Sequence, residues 1–157
     1  MIELFQTEGF ILPYGQYVYL AIGLGMLISL LFSESLGVMG GGVIVPGYFA
    51  LHLQDLNSVF ITFFISILTF VFISILSKYL LIYGRRRVIL SLLVAFLIGL
   101  FFREFIYLEY IGFIIPGLIA SWMDKQGILR TASVIIIESS MVHFILMLIF
   151  MYSLKYV

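Results

Sequence analysis

Charge and cysteine are scarce or absent in this sequence of 157 residues. Only 10% of the residues are charged and 64% are hydrophobic, whereas soluble domains are roughly a quarter charged. So little charge excludes an ordinary water-soluble surface. The absence of cysteine excludes disulfides, thiolate metal sites and cysteine nucleophiles. Eight acidic and eight basic residues leave no net charge, so the charge balance indicates no nucleic-acid partner.

Motifs that carry chemistry or hold a cofactor are also missing. The sequence has no Gly-x-x-x-x-Gly-Lys-Ser/Thr nucleotide loop, no His-Glu-x-x-His zinc motif and no Gly-x-Ser-x-Gly nucleophile elbow. Its two histidines, His52 and His143, lie on different segments, which disfavours a metal centre. We therefore expect a non-catalytic chain that binds no cofactor.

Apolar stretches separated by charges occupy nearly the whole chain. The clearest consists of the 22 uncharged residues between Asp55 and Lys78, which as a helix would cross a bilayer core roughly 30 Å thick. The acidic N-terminus does not resemble a removable signal peptide. The sequence therefore predicts an all-α polytopic membrane protein. Further spans are predicted at 9–33, 88–102 and 131–154.

Two apolar stretches, 36–53 and 110–123, contain glycine and proline and suit a regular helix poorly. They belong to an internal repeat, which aligns Gly-Val-Ile-Val-Pro-Gly at 42–47 with Gly-Phe-Ile-Ile-Pro-Gly at 112–117. The offset between the two copies is 70 residues (112 − 42). Residues separated by this offset are called equivalent positions of the two halves. Each half is predicted to contain a spanning helix, a middle helix interrupted by glycine and proline, and a second spanning helix.

The positions of the basic residues favour three crossings in each half. With residues 85–87 in the cytoplasm, six crossings leave only Arg103 and Lys155 outside among the basic residues, and four crossings weaken this bias. About six segments in two inverted three-segment repeats are therefore the preferred architecture. The predicted regions are an acidic N-terminal extension at 1–16, a first membrane repeat at 17–84, a basic central loop at 85–87 and a second membrane repeat at 88–157.

Several short motifs occur in an order and spacing typical of one protein family. The motifs are Ser-Leu-Leu-Phe-Ser-Glu at 29–34, Val-Pro-Gly-Tyr-Phe-Ala-Leu at 45–51, Phe-Ile-Ser-Ile-Leu-Thr at 64–69, Tyr-Gly-Arg-Arg at 83–86, Ile-Pro-Gly-Leu-Ile-Ala at 115–120 and Gln-Gly at 126–127. In these motifs, from about Tyr17 to Tyr152, the chain resembles the PgsC/CapC family of poly-gamma-glutamate capsule synthesis. It departs from the family pattern in its N-terminal extension and at Glu138, where an uncharged residue is expected.

The resemblance implies a multi-pass subunit of the bacterial cytoplasmic membrane. It implies two partners, an ATP-dependent amide ligase similar to the Mur ligases and an extracytoplasmic subunit, in a complex that makes and exports poly-gamma-glutamate. The expected function is to anchor the ligase and to assist passage of the anionic polymer. The interrupted repeats also suggest an alternative, a stand-alone secondary transporter for a small anion or amino acid. A transporter of this size would have to form a homo-oligomer to build an ion-coupled site. A third hypothesis is a purely structural scaffold.

The Gly/Pro pairs and two glutamates are candidates for a polymer path or gate. Unwound backbone near the bilayer midplane exposes amide groups that can meet an anion, although close helix packing is the plainer explanation. Glu34 and Glu104 occupy equivalent positions of the repeat, where a carboxylate serves either as a gate or partner contact or as a cap for the next helix. The two pairs are Pro46 with Gly47 and Pro116 with Gly117.

Glu138 and an arginine triplet complete the candidate residues. Glu138 interrupts the last span, and a carboxylate at that depth is expected to face the bundle interior or a wet cavity. The alternative is a structural glutamate bonded to the hydroxyls of Thr131, Ser139 or Ser140. The arginines anchor the topology and are candidates for contact with membrane lipid, the polymer or the ligase. They are Arg85, Arg86 and Arg87.

Overall fold

In the residues that it describes, the computed structural model has only helices as regular structure, which confirms the all-α prediction. The predicted N-terminal extension lies outside the described residues, apart from the backbone of 14–16. The structure describes residues 14–79, 84–106 and 111–155, with the side chains of 17–79, 84–104 and 111–152. Within these ranges the helices are α1 (Tyr14–Leu36), α2 (Val45–His52), α3 (Leu56–Tyr79), α4 (Arg85–Ile106), α5 (Ile115–Gln126) and α6 (Ile128–Lys155).

Three helices are long and apolar enough to cross a membrane, namely α1, α3 and α6 over Tyr17–Leu36, Leu56–Tyr79 and Ile128–Tyr152. The 24 residues of α3 extend over roughly 36 Å at about 1.5 Å per residue. The predicted span at 88–102 lies within α4, whose two ends carry charged residues. A chain with these helices has the composition of a membrane protein.

The third helix is polar on its inner face and apolar on its outer face. The hydroxyls of Thr62, Ser66 and Thr69 are buried, and each donates to the backbone carbonyl four residues earlier at 2.6 to 2.8 Å. Phe60 and Phe64 on the outer face are 70% and 53% exposed. Exposed aromatic rings suit contact with lipid, while small inner residues allow helices to approach closely.

Asp55 caps the start of α3. Its carboxylate accepts a hydrogen bond from the Ser58 hydroxyl at 2.5 Å and a longer one from the Ser58 backbone N–H at 3.4 Å. The bond from the Ser58 side chain is the main cause that holds the pKa of Asp55 below its usual range. This cap satisfies backbone donors at the helix start and ends the turn that follows α2.

Each short helix packs most extensively against one long helix of its own half and one of the other half: α2 against α1 and α6, and α5 against α4 and α3. α5 also contacts α6, and α2 makes smaller contacts with α3 and α5. Contacts of α1 with α6 and of α3 with α4 complete the bundle. The main hydrophobic core lies where the two short helices meet. Its buried members are Val45, Phe49, Ile111, Ile115, Ile119, Met123 and Ile135.

Helix boundaries follow the repeat seen in the sequence. α1 and α4 end at equivalent positions of the two halves, and α2 and α5 begin at equivalent positions. The equivalent glycines Gly42 and Gly112 have φ angles of 110° and 58°, which favour glycine. Each middle segment is therefore a non-helical stretch followed by a short helix.

Candidate functional site

The two short helices begin in the interior of the protein. Their first residues, Val45 and Ile115, are 0% and 5% exposed and belong to the same hydrophobic cluster. The preceding residues, Ile44 and Ile114, make no capping hydrogen bond with a side chain. The first N–H groups of a helix lack intrahelical partners and carry partial positive charge. Two sets of backbone donors therefore lie within the bundle.

Pro46 and Pro116 lie in the first turns of α2 and α5, and both are buried. Proline is well tolerated at this position, because the N–H that it lacks would have no partner within the helix. The sequence suggested that these prolines interrupt a longer helix. In the structure each one lies where a short helix begins, so no kink is formed.

Gly47 and Gly117 bring each short helix into backbone contact with the long helix before it. A Cβ added to Gly47 would lie 2.8 Å from the Cα of Ile22 in α1. A Cβ added to Gly117 would lie 2.7 Å from the Cα of Leu92 in α4. The contacted residues are themselves equivalent in the repeat, so both halves use the same close approach.

Glu138 is fully buried in α6, with 0% of its surface exposed. One carboxylate oxygen lies 2.6 Å from the position that a Cβ on Gly40 would occupy, so the carboxylate abuts the loop before α2. Neither oxygen makes a hydrogen bond of normal geometry within the described residues. The hydroxyls of Thr131 and Ser139 donate instead to carbonyls of the polypeptide four residues earlier.

This environment gives Glu138 an energetic cost that its neighbours offset only in part, through the backbone N–H of Gly40. A charged carboxylate enclosed in an apolar region with so little hydrogen bonding is strongly disfavoured. Proteins retain such groups chiefly where they serve a function. Glu138 therefore stays a candidate residue on physical grounds.

Gln126 holds the same loop from the other side, and sequence reasoning had singled it out only as part of a motif. Its Nε2 donates to the carbonyl of Met39 at 2.6 Å and to the hydroxyl oxygen of Thr131 at 3.1 Å. Its Oε1 accepts from the Met39 N–H at 3.4 Å. The end of α5 is thereby joined to the loop that precedes α2.

The arginine triplet divides into two exposed residues and one inward-facing residue. Arg85 and Arg86 are exposed. Arg87 is partly buried and donates from Nη2 to Oδ1 of Asp124 at 2.5 Å, which forms a salt bridge between α4 and α5. The two residues are 37 positions apart, so no local spacing in the sequence indicated the pair.

A cavity of about 260 Å³ lies beside this salt bridge, between α3, α4 and α5. Its polar lining was not predicted as a site, because the residues come from separate helices whose packing the sequence does not reveal. Among the described residues, no three His, Asp or Glu side chains gather as a metal site. The polar residues of the lining are Arg87, Ser91, Ser121, Asp124 and Lys125.

Glu34 and Glu104 are both exposed, close to the ends of α1 and α4. Glu138, by contrast, is enclosed in the interior. The predicted residues therefore fall into three places: the buried starts of the short helices with Glu138, the cavity beside Arg87, and exposed helix ends.

Comparison with known proteins identifies a family. The model of the family described as "Capsule biosynthesis CapC" matches residues 24–132. The "Capsule biosynthesis protein CapC" of Bacillus anthracis is 34% identical over 135 residues, which cover 80% of this chain and 91% of that protein. The "PGA biosynthesis protein CapC" of Bacillus subtilis (strain 168) is 34% identical over 128 residues, covering 75% of this chain and 85% of that protein. No solved structure matches the chain significantly.

The matched range contains both short helices, the salt bridge between Arg87 and Asp124 and the loop that contacts Glu138. Both relatives are matched over most of their own length. This chain belongs to the capsule biosynthesis CapC family.

Proposed function

We propose that this chain is the membrane subunit of a poly-gamma-glutamate synthase, in which it anchors an ATP-dependent amide ligase and assists passage of the polymer. The names of the two relatives, which refer to capsule and PGA biosynthesis, support a role in making this polymer. Joining a carboxylate to an amine requires an activated acyl group and hence a nucleotide site, and this sequence contains no nucleotide loop. We assign the chemistry to a Mur-ligase-like partner, with an extracytoplasmic subunit as a third member.

The observation that carries the proposal is the pair of buried helix starts at Val45 and Ile115. Short helices that begin within a membrane protein, at matching places of two repeats, are typical of transport paths near the bilayer midplane. Their first N–H groups suit an anion. A chain of gamma-linked glutamate carries one carboxylate per unit, so it is the kind of cargo that such donors recognise.

The salt bridge between Arg87 and Asp124 supports six crossings in two inverted repeats. It joins the first turn of α4 to the last turn of α5, so those two helix ends lie at the same level. The non-helical stretch and α5 together therefore run back along α4. With Arg85 and Arg86 in the cytoplasm, this contact supports three crossings in the second half. The internal repeat extends the same number to the first half, in a bacterial cytoplasmic membrane.

Within this proposal the candidate residues have different roles. Glu138 and the starts of the short helices border the polymer path. Glu34 and Glu104, at exposed helix ends, are contacts for partners or gates at its mouths. Arg85 and Arg86 contact lipid headgroups or the ligase.

Deletion of the gene from an encapsulated host tests the proposal. We expect surface poly-gamma-glutamate to disappear, because the polymer has lost its path, and to return when the wild-type gene is supplied on a plasmid. Surface polymer is measured on washed cells. Intact surface polymer after a clean deletion would refute the assignment. Loss of glutamate uptake with normal polymer would instead support the transporter alternative.

The anchoring role has its own test in the same strains. We expect the ligase to leave the membrane fraction for the soluble fraction when this subunit is deleted, because its membrane contact is gone. Immunoblots of both fractions measure the shift. A ligase that remains on the membrane would contradict anchoring and leave assistance to the polymer as the sole role.

A further inference from the structure

The cavity between α3, α4 and α5 differs from the apolar interior in its charge. Arg87 and Lys125 contribute two cations to its lining and Asp124 one anion, so the lining is positive by one charge. At about 260 Å³ it lies just below the roughly 300 to 1,000 Å³ of pockets for whole small molecules. It therefore suits a group of side-chain size better than a nucleotide.

Arg87 has donors that its protein partner does not use. A guanidinium carries five N–H donors, and Asp124 accepts a hydrogen bond from Nη2. The Nε atom is enclosed and has no hydrogen-bond partner within the described residues. The edge formed by Nε and a terminal nitrogen matches the two oxygens of a carboxylate. Because Nε is enclosed, the side chain would have to rotate away from Asp124 to present this edge to the cavity.

The serine hydroxyls add acceptors beside these donors. Ser91 donates to the carbonyl of Val88 at 2.9 Å, and Ser121 donates to the carbonyl of Leu118 at 2.8 Å. The Ser91 hydroxyl also lies 3.2 Å from the carbonyl of Gly117 in α5, a second acceptor for the same proton. Since both hydroxyl protons are used by backbone carbonyls, oxygen lone pairs are what the serines offer the cavity. The lining thus combines donors for an anion with acceptors for an N–H group.

We propose that this cavity binds one gamma-linked glutamyl unit, with its carboxylate on Arg87 and its amide N–H toward the serine oxygens. In such a unit the carboxylate and the amide nitrogen are attached to the same carbon, so an anion and a donor arrive side by side. A phosphate headgroup supplies the anion without that adjacent N–H. The choice of the glutamyl unit rests on the proposed function, whereas the carboxylate site itself rests on the lining.

The first half of the chain provides an internal comparison. At the positions of the first half that are equivalent to Arg87, Ser91 and Ser121 stand Tyr17, Ala21 and Leu51. These three residues belong to or pack against an apolar cluster. At these three positions, hydrophobic side chains of the first half therefore stand where the second half has the arginine and the two serines of the cavity.

Binding of a fluorescent gamma-linked pentaglutamate tests the site. The full-length protein is placed in nanodiscs of phosphatidylcholine, and affinity is measured by fluorescence anisotropy. We expect Arg87→Gln to weaken binding by about tenfold or more, as loss of a charge-assisted contact predicts. Arg130→Gln makes the same change of charge at an exposed position on α6, and we expect it to alter affinity by less than about twofold.

Two further variants separate a lost contact from a misfolded protein. Ser121→Leu places at this position the side chain that Leu51 has in the first half, and it should weaken binding by filling the cavity without any change of charge. Asp124→Asn removes the carboxylate that competes for Arg87, and it should leave binding equal or stronger. Size-exclusion profiles and melting temperatures confirm that each variant is folded.

The outcomes distinguish the site from the proposed function. Equal losses for Arg87→Gln and Arg130→Gln, or unchanged binding in Ser121→Leu, would overturn the site even if gene deletion abolishes the polymer. Arg87-dependent binding in a protein whose deletion spares the polymer would keep the site and refute the function. Addition of phosphatidylglycerol to the nanodiscs tests the lipid. Suppose that phosphatidylglycerol displaces the peptide from the wild type, and that Arg87→Gln abolishes this displacement without weakening peptide binding. The cavity is then a headgroup site and the proposal is wrong.

Discussion

Among single residues, Glu138 is distinctive because its side chain is fully buried in α6. One of its oxygens abuts Gly40, and neither makes a hydrogen bond of normal geometry within the described residues. An unsatisfied buried polar group lowers stability, and proteins keep such groups chiefly at functional sites. Stability and function are therefore expected to respond in opposite directions when this residue is replaced.

Glu138→Met tests that expectation. Methionine is unbranched and adaptable, so it fills the space of the glutamate without leaving a polar group unpaired. We expect the free energy of unfolding to rise by about 1–3 kcal/mol, while surface polymer in the complemented deletion strain falls. Unfolding is measured in detergent by circular dichroism, and polymer is measured on washed cells.

The matched control is Ser140→Met, two positions along on the exposed side of the same helix. It should change neither quantity, because the side chain points away from the bundle. A Glu138→Met protein that supports normal polymer would remove Glu138 from the polymer path. One that is less stable than the wild type would show that the carboxylate has a structural partner.

At the scale of the elements, the short helices depend on two glycines for their position. Gly47 and Gly117 leave no room for a Cβ against α1 and α4, whereas a Cβ on Gly23 of α1 would have nothing within 4 Å. The close approach of backbones is what fixes where the buried helix starts lie. A methyl group at either glycine would therefore push a short helix away from its long neighbour.

We expect Gly47→Ala and Gly117→Ala each to destabilise the protein by about 1–3 kcal/mol, because extra volume in a packed interior forces the backbone to shift. Gly23→Ala is the control and should be neutral or stabilise by up to about 1 kcal/mol, because alanine favours the helix. Melting temperatures in detergent measure all three. If Gly47→Ala and Gly117→Ala melt like Gly23→Ala, the packed contact is not what holds the short helices.

The elements differ in how well the sequence predicts them. The long helices are predicted well because their sequences are long, mainly apolar stretches, of which α3 is the clearest example. The prediction of the middle segments is less accurate, because a proline in an apolar stretch is compatible with either a kink or the first turn of a helix. Only the packing of Gly47 against α1 selects the first turn. The salt bridge between Arg87 and Asp124 was beyond sequence reasoning, because it depends on how α4 and α5 lie against each other.

At the scale of the whole molecule, the same salt bridge bears on the number of crossings. The first turn of α4 and the last turn of α5 are joined by Arg87 and Asp124. If each half crossed the membrane only twice, the end of α5 would lie on the face opposite to the start of α4. A lipid bilayer would then separate the two charges, so the contact favours three crossings in the second half, and the repeat extends this number to the first.

Cysteine labelling tests this arrangement cleanly, because the natural chain has no cysteine and each substitution creates the sole thiol. Three exposed positions are chosen: Gln54 between α2 and α3, Arg86 at the start of α4, and Arg130 at the start of α6. Six crossings predict that a membrane-impermeant maleimide labels Gln54→Cys in intact cells. Arg86→Cys and Arg130→Cys should label only after permeabilisation. Four crossings make the same predictions for Gln54→Cys and Arg86→Cys, but they predict that Arg130→Cys is labelled in intact cells. Labelling of Arg130→Cys in intact cells would therefore refute the inverted repeats. In that case the contact between Arg87 and Asp124 could not form in the membrane, and the cavity beside it would be lost as well.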